Sequence, residues 1–515
     1  MKLKQSGKCG IVLAYYLLDH KAGYKLLRGI WVVPMQHKHL LLKLSVGMLL
    51  TCFAWLSLNR ATAQSADDFT TRELTVTSGD VQLAGTLYLP GGAGPFPAAV
   101  IMHGSGPDTR VAYIPDAHML ARGGIASFIF DKRGTGASSG DWKHSSLDDL
   151  MADGLAAIAL LQSQPEIDPA HIGIVGSSQG AWLAPFMAAR SQQVAFFVQI
   201  TGSATPLANQ EMWDDGNSLQ ALGFSERAIE TEMKALHLLY SSRDLIRRGI
   251  LPLGDEWFVY YDPTLDPMAA WADVRVPALV LFGGQDASVP TQTSLKIVKE
   301  ALAKNGHPAS RTVVFPQRGH ALGGASRNQD ATYATLVTGW IKAVANGQPV
   351  PAMPFPDAYT PTDALHWYGL GAHPTSWYAS AGFQLPVILA FLFVFVLALI
   401  ASLLPWLEFG GGLPRLVLGL SAAANTSLLA GLLFAIGYLL NADAESASPA
   451  IPLSGWLFPL AWASVVLAGS LAYFWRRARS QSGNRFGRAV FTLMTLAAWG
   501  FIPFLAYWGV LGGRL

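Results

Sequence analysis

Residues 172–184 read Ile-Gly-Ile-Val-Gly-Ser-Ser-Gln-Gly-Ala-Trp-Leu-Ala, and this stretch decides the fold class of the chain. The apolar run at 172–175 predicts a buried strand, and residues 181–184 suit a helix. Between them, a glycine on each side of Ser178 allows a turn sharp enough to project the serine hydroxyl. Because the turn opens a helix, the backbone N–H of Gln179 points to the place where an oxyanion would form.

The pentad Gly-Ser-Ser-Gln-Gly gains its meaning from the strands around it. Alone it is weak, because a chain with 51 glycines contains such a pentad by chance in roughly one protein of this length in three or four. Short apolar runs alternate with amphipathic helical stretches on both sides of it, a pattern that predicts a mostly parallel sheet covered by helices. An antiparallel opening at 71–89 comes first, and we place the buried strands at 98–102, 126–130, 172–175, 195–200, 278–282 and 312–315.

Two later strand ends carry residues that complement Ser178. Asp286 follows the strand at 278–282, and His320 follows the strand at 312–315. A base that removes the serine proton needs a carboxylate that fixes its tautomer and stabilises the imidazolium. The order Ser, Asp, His at successive strand ends therefore predicts a catalytic triad.

The loop after the strand at 98–102 reads His103-Gly104-Ser105-Gly106-Pro107. Its glycines allow the backbone to approach the serine turn closely. We predict that the N–H groups of Ser105 and Gln179 together form an oxyanion hole.

Four charged residues lie near these strand ends without a place in the triad. Arg110 is a candidate contact for a substrate carboxylate, because arginine is a frequent anion clamp. Asp131 ends a strand but precedes the nucleophile in the chain, so we interpret it as structural. Lys132 and Arg133 follow in a turn, a position that favours structural pairing over contact with an anionic substrate.

These motifs resemble those of the α/β-hydrolase superfamily, and within it the dienelactone-hydrolase and prolyl-oligopeptidase-like esterases. The resemblance rests on the loop at 103–107, on Asp-Lys-Arg-Gly-Thr-Gly at 131–136 and on the pentad at 176–180. It covers residues 71–345, about half of the chain. It implies an α/β-hydrolase fold, carboxylester hydrolysis through an acyl-enzyme, a triad of Ser178, Asp286 and His320, and an oxyanion hole built from the amides of Ser105 and Gln179.

A long insertion separates the strand at 195–200 from the strand that precedes Asp286. Its roughly 75 residues are far more than a crossover needs. Residues 209–249 have a mainly helical pattern, and we predict a helical cap at about 203–265 that shapes the acyl pocket. We expect most of its apolar side chains to pack the cap onto the sheet: Met212, Trp213, Leu219, Leu222, Met233, Leu236, Leu239 and Tyr240.

Residues 1–63 have the pattern of a leader with a signal peptide. A basic flank and an apolar run precede Ala61-Thr62-Ala63, which matches the small-x-small site of a signal peptidase. We predict cleavage after Ala63, and the alternative is an uncleaved signal anchor. The hydrolase domain is then expected at 64–346, followed by a linker at 347–384 that is rich in Pro, Ala, Tyr and Trp.

The segment 385–515 contains four apolar runs, each of about 20 residues and long enough to cross a bilayer. Five arginines lie between the third and fourth runs, whereas Asp443 and Glu445 and no basic residue lie between the second and third. Because positive charge accumulates on the cytoplasmic side, we predict a multi-pass protein of a bacterial-type cytoplasmic membrane with its hydrolase domain on the periplasmic or extracellular side. The runs lie at 385–404, 416–440, 456–475 and 489–510.

Composition argues against several classes of protein. The net charge of +2 gives no indication of a nucleic-acid partner. Cys9 and Cys52 both lie upstream of the globular region, so neither a disulfide framework nor a thiolate metal site is expected there. The histidines outside the triad show no spacing typical of a metal cluster. We predict no metal and no cofactor, and the oligomeric state stays open.

Together these features predict a serine hydrolase of carboxylic esters that acts on a small-molecule or lipid-like substrate at the outer face of a membrane. A peptidase, amidase or thioesterase with the same triad stays open, because the sequence does not locate cap residues that would bind a peptide terminus. A transporter or partner platform with an accessory hydrolase domain is the other alternative. The apolar runs hold almost no ionisable residues, which a transport path normally needs, so an anchor is favoured.

Overall fold

The computed structural model describes residues 69–242, 245, 250, 265–352, 376–440, 454–480 and 484–513. The predicted leader and signal peptide lie outside these residues. So do most of the predicted linker and the connection between the second and third apolar helices.

Eight strands form one sheet in the order β1-β2-β4-β3-β5-β6-β7-β8. The first strand pairs antiparallel with β2, and β2 pairs antiparallel with β4, whereas the other neighbours are parallel. The mostly parallel sheet predicted from the apolar runs is confirmed. The strands are β1 (Phe69–Ser78), β2 (Val81–Pro90), β3 (Phe96–Met102), β4 (Ala126–Phe130), β5 (Ile167–Ser177), β6 (Phe197–Ile200), β7 (Ala278–Gly283) and β8 (Arg311–Phe315).

Helices cover both faces of the sheet, and a separate hydrophobic cluster lies between the sheet and the helices on each face. Interior parallel strands bury side chains on both faces, which is why β4 and β7 are buried along their whole length. The helices of this domain are α1 (Ile114–Arg122), α2 (Leu147–Gln162), α3 (Gln179–Arg190), α4 (Leu207–Ala221), α5 (Glu226–Ser241), α6 (Pro267–Asp273), α7 (Thr291–Asn305) and α8 (Ala331–Ala345).

Four long apolar helices follow, and each is long and apolar enough to cross a membrane. The first of them begins at Ala381, inside the segment predicted as a linker, and the other three also begin a few residues earlier than predicted. They are α9 (Ala381–Leu403), α10 (Gly412–Leu439), α11 (Ser454–Ser480) and α12 (Arg485–Tyr507).

Helices α4 and α5 fall in the predicted cap, where α4 packs on α5 and α5 packs against α9 and α10. The Nζ of Lys234 donates a hydrogen bond to the carbonyl of Tyr507 at 2.8 Å, and the N–H of Ala381 donates to the Oγ of Ser241 at 3.1 Å. The expectation that most of the apolar cap residues pack onto the sheet is wrong, because α9 and α10 offer α5 another apolar surface. One hydrophobic cluster joins the long helices to the buried cap residues Met212, Leu219, Met233 and Leu236, with Leu222 and Tyr240 packed against it.

Candidate active site

Ser178 sits at a sharp turn between the end of β5 and the start of α3. Its φ of 53° and ψ of −116° lie outside the regions that side chains usually adopt, as the two flanking glycines predicted. A Cβ on Gly180 would lie 2.5 Å from the carbonyl oxygen of Met102, so only glycine fits there. The backbone strain therefore holds the Ser178 hydroxyl at the carboxyl edge of the sheet.

The structure brings the three residues of the predicted triad together. The Nε2 of His320 lies 3.0 Å from the Oγ of Ser178, and its Nδ1 lies 3.1 Å from both carboxylate oxygens of Asp286. Asp286 also accepts hydrogen bonds from the backbone N–H groups of Ser288 (2.9 Å) and Val289 (3.0 Å). Its side chain is fully buried, whereas 31% of the His320 side chain is exposed. This arrangement leaves the histidine accessible and its orienting carboxylate fixed.

The protonation of His320 reflects opposing influences. Burial lowers its pKa, whereas the hydrogen bond that it donates to Asp286 and the charges of Asp286 and Asp214 raise it, and the net pKa lies above the ordinary value. The Asp286 contact therefore favours the imidazolium that forms when His320 takes a proton.

The loop after β3 lies beside the serine turn. A Cβ on Gly104 would contact the Cβ of Ser178 at 3.8 Å. The N–H of Gly104 donates to the hydroxyl of Tyr113 at 2.7 Å, and that hydroxyl donates to Asp108 at 2.6 Å. These bonds fix the loop that contains Ser105, and Gln179 opens α3 on the other side of Ser178.

Comparison with known proteins adds independent support for the fold. The family described as BAAT / acyl-CoA thioester hydrolase C terminal matches residues 155–324, which include Ser178, Asp286 and His320. "Esterase EstD" of Thermotoga maritima is 29% identical over 269 residues, which make up 50% of this chain and 61% of that protein. "Acyl-coenzyme A thioesterase 6" of Mus musculus is 25% identical over 254 residues, 49% of this chain and 54% of that protein. The chain contains an α/β-hydrolase domain.

The chain spans about six tenths of the length of EstD and about half of that of the mouse thioesterase. Among solved structures, the Pyrococcus furiosus esterase Pf2001 aligns with a TM-score of 0.38 and 18% identity, over 54% of this chain and 91% of that chain. The Pyrococcus horikoshii acylaminoacyl peptidase aligns with a TM-score of 0.40 and 17% identity, over 58% of this chain and 45% of that chain.

Three of the charged residues outside the triad make internal pairs in the hydrolase domain. Arg110 donates to Glu73 at 2.7 Å through its guanidinium, and its backbone N–H donates to Asp131 at 2.9 Å. Because Glu73 holds this guanidinium, we leave Arg110 out of the substrate site that we propose below. Arg133 binds Asp153 through two hydrogen bonds of 2.7 and 2.8 Å, which is the structural pairing expected of it.

Sequence reasoning missed two residues that hold the His320 loop of the hydrolase domain. The N–H of Ala321 donates to the hydroxyl of Thr201 at 3.0 Å, and Arg327 donates to the carbonyl of Ala321 at 3.0 Å. Arg327 also forms a buried ion pair with Asp116 at 2.8 Å. No motif marks these residues, because Thr201 lies 119 positions before His320 in the chain and Asp116 lies 211 positions before Arg327.

Carboxylates gather on the cap side of the hydrolase domain. Glu211, Asp214 and Asp215 share one face of α4, and Glu232 lies on α5 with 4% of its surface exposed. Burial raises the pKa of Glu211 to about 8, of Asp215 to about 7 and of Glu232 to about 9, and repulsion between neighbouring carboxylates adds to each shift. Asp214 acts on His320 across the mouth of the site.

These carboxylates do not form a metal centre. Within the described ranges, no group of three or more His, Cys, Asp or Glu side chains is arranged to hold a metal ion. One Glu232 carboxylate oxygen is buried and finds no hydrogen-bond partner in the described part of the chain. The side of the site that faces the cap is therefore acidic.

Proposed function

We propose that this chain is a serine hydrolase that cleaves carboxylic esters, with Ser178 as nucleophile, His320 as general base and Asp286 as the carboxylate that orients the base. The observation that carries this proposal is the continuous contact from the Oγ of Ser178 through the ring of His320 to Asp286, at 3.0 and 3.1 Å. Distances of this length suit proton transfer from the serine to the histidine.

The proposed reaction has two stages. The Oγ of Ser178 attacks the ester carbonyl while His320 takes its proton, and the N–H groups of Ser105 and Gln179 stabilise the oxyanion. His320 then protonates the leaving alcohol, which departs and leaves an acyl-enzyme. In the second stage His320 activates water, which releases the carboxylic acid and restores the serine.

The proposed substrate is a small-molecule or lipid-like ester. A thioester is a further candidate, because the family that matches residues 155–324 is described by acyl-CoA thioester hydrolysis. Paired oxygen esters and thioesters with the same acyl chain separate these two classes by their kcat/KM values.

The direct test of the serine uses two neighbouring residues. Ser178→Ala is expected to lower kcat on short and long p-nitrophenyl esters by at least about 10³-fold, since the nucleophile is lost. Ser177→Ala is the matched control, because Ser177 ends β5 beside the turn. Equal activity of Ser178→Ala and the parent protein would refute the assignment.

We further propose that the hydrolase domain lies outside the cytoplasm of a bacterial-type cell. The five arginines at the adjoining ends of α11 and α12 and the small-x-small site that ends at Ala63 both support this orientation. A reporter that is active only in the periplasm, fused after residue 346, is expected to be active. The same reporter placed between α11 and α12 is expected to be inactive, and the reverse pattern would contradict the proposed topology.

The acidic cap favours a second candidate, an amidase or peptidase that binds the ammonium group of its substrate. Glu211, Asp215 and Glu232 would lower the energy of a bound cation, and the cation would in turn relieve their mutual repulsion. Aminoacyl p-nitroanilides and their N-acetylated forms test this directly. Preference for the free amine, lost in Asp215→Asn, would favour the peptidase, whereas indifference to the amine favours the esterase.

A further inference from the structure

A buried lysine lies beneath the proposed oxyanion hole. Lys132 follows β4, the parallel neighbour of β3, so both strands end at the same edge of the sheet. Only 2% of Lys132 is exposed. A lysine is almost never buried to this extent unless its ammonium group has partners.

The Nζ of Lys132 donates to three oxygens that surround Ser178. It lies 2.6 Å from the carbonyl of Gly104, 2.9 Å from the carbonyl of Gly106 and 3.1 Å from the Oε1 of Gln179. Two of these acceptors flank Ser105, and the third belongs to Gln179 itself. One ammonium group therefore joins the two backbone segments that carry the proposed oxyanion donors.

These bonds constrain the loop after β3 where its conformation is unusual. Gly106 has a φ of 90°, so its peptide groups are turned in a way that other residues rarely adopt. The bonds from Lys132 hold the carbonyls of Gly104 and Gly106 toward the protein interior. The N–H of Ser105 belongs to the same planar peptide unit as the Gly104 carbonyl and points the opposite way, so the bond from Lys132 to that carbonyl directs this N–H away from the interior.

The charge of Lys132 suits this position. Burial lowers its pKa to about 8, and the charge of Asp108 opposes that shift. Lys132 therefore carries a positive charge at neutral pH. Such a charge beneath the hole favours the negative oxygen of a tetrahedral intermediate more than it favours a neutral ester.

We propose that Lys132 is a positioning residue of the oxyanion hole, which holds the Ser105 and Gln179 amides in register and adds positive charge behind them. This inference rests on the proposed serine-hydrolase function and extends it. Lys132 touches neither the nucleophile nor the substrate. Its removal is expected to weaken binding of the transition state while leaving ester binding almost unchanged.

The test compares Lys132→Met with Lys132→Arg in the full-length protein. The methionine variant is expected to lose roughly 10²-fold in kcat on p-nitrophenyl acetate, with KM within about threefold of the parent value. The arginine variant keeps a charged donor and is expected to recover at least about a tenth of the parent kcat. Lys143→Met is the matched control, because Lys143 is exposed and lies, like Lys132, in the connection between β4 and α2. This variant is expected to leave kcat and KM unchanged.

A trifluoromethyl ketone supplies the second readout. Ser178 adds to its carbonyl, and the product carries the oxyanion that the hole binds. The Ki of this ketone is expected to rise in Lys132→Met by the same factor by which kcat/KM falls. A purely structural role would instead raise KM and lower the melting temperature without this parallel change.

Two controls keep the inference falsifiable. If Lys132→Met does not fold, Lys132→Gln is measured instead and is expected to lose about tenfold in kcat, since it keeps one neutral donor. Parent-like kcat/KM in a folded neutral variant overturns the positioning role, as does an unchanged Ki for the ketone. Ser178→Ala in the same assay separates the two claims, because its continued activity would refute the hydrolase mechanism itself.

Discussion

The floor of the site, made of the strand ends and their loops, pairs its buried charges. In the roof, made of α4 and α5, the part of the chain that the structure describes holds no ion pair to the carboxylates Glu211, Asp215 and Glu232. In the floor, Arg133 binds Asp153 and Arg327 binds Asp116, each pair almost fully buried. In the roof, Glu232 is as deeply buried, yet one of its oxygens has no hydrogen-bond partner among the described residues.

The two regions also differ in what they pack against. The floor rests on the clusters that cover the sheet, but the buried apolar cap residues belong to the cluster of the long C-terminal helices. The floor is thus built to hold reacting groups in one geometry. The roof combines buried carboxyl groups of raised pKa with contact to the membrane-type helices, which suits a role in choosing the substrate.

The largest effect is expected from removing the base in the floor. His320→Ala should lower kcat/KM for p-nitrophenyl esters by roughly 10⁴-fold, because it removes the group proposed to accept the Ser178 proton. His171→Ala is a matched control, since His171 also pairs with an aspartate, Asp168 at 2.6 Å, but away from the serine. Similar losses in both variants would show that the effect is not specific to the site.

Breaking the floor's buried ion pair should cost stability. Arg327→Met leaves Asp116 buried and unpaired, so the free energy of unfolding is expected to fall by about 3 kcal/mol. The control Arg190→Met removes the exposed ion pair with Asp148. It should change the free energy of unfolding by less than about 1 kcal/mol. Urea unfolding monitored by tryptophan fluorescence measures both. Equal small changes would show that the Arg327 pair does not hold the His320 loop.

The raised pKa of Glu232 on α5 predicts that the stability of the protein depends on pH. Burial and Asp215 raise the pKa of Glu232 from 4.5 to about 9, so the folded protein binds more protons than the unfolded chain between these values. Stability contributed by this group is therefore complete below pH 4.5 and is lost as the pH rises toward 9. Glu232→Gln is expected to raise the melting temperature by a few °C at pH 8.5 and to have little effect at pH 5.

One outcome would contradict the prediction for Glu232. If Glu232→Gln lowers the melting temperature at pH 8.5 as much as at pH 5, the carboxylate has a partner that stabilises its charge. Glu226→Gln is the control, because Glu226 lies in the first turn of the same helix.

The smallest effect is expected from removing the charge of Asp214 in the roof, which acts on the pKa of His320 in the floor. The charge of Asp214 contributes to the raised pKa of His320, so Asp214→Asn should lower that pKa. The acid limb of kcat/KM, where activity falls as His320 gains a proton, is then expected to move to lower pH. Asp215→Asn serves as the control. An acid limb that moves to higher pH would contradict the proposed coupling.

Local sequence patterns carried most of the information about the floor. Parallel buried strands are short and apolar, so their positions could be predicted from the apolar runs. The glycines around Ser178 predicted its sharp turn. Asp286 and His320 could be predicted because strand ends of a parallel sheet converge. The Lys132 contacts could not, because three acceptors from two loops meet there only after folding.

The packing of the roof was harder to predict from the sequence than that of the floor, for a physical reason. The helical pattern between β6 and β7 predicted α4 and α5, but an amphipathic pattern does not specify which apolar surface covers the helix. Leu219 and Leu236 would suit the sheet or the membrane-type helices equally well. The leader and the cleavage after Ala63 stay predictions, since they lie outside the described residues.

The most direct test of the central claim is the site of covalent capture by a fluorophosphonate. The probe phosphonylates an activated serine with loss of fluoride, and mass spectrometry of the digested protein identifies the modified residue. The predicted result is one phosphonyl group on Ser178 in the parent protein and no labelling in Ser178→Ala or, at the same exposure, in His320→Ala. Labelling of another residue, or undiminished labelling in Ser178→Ala, would contradict the account.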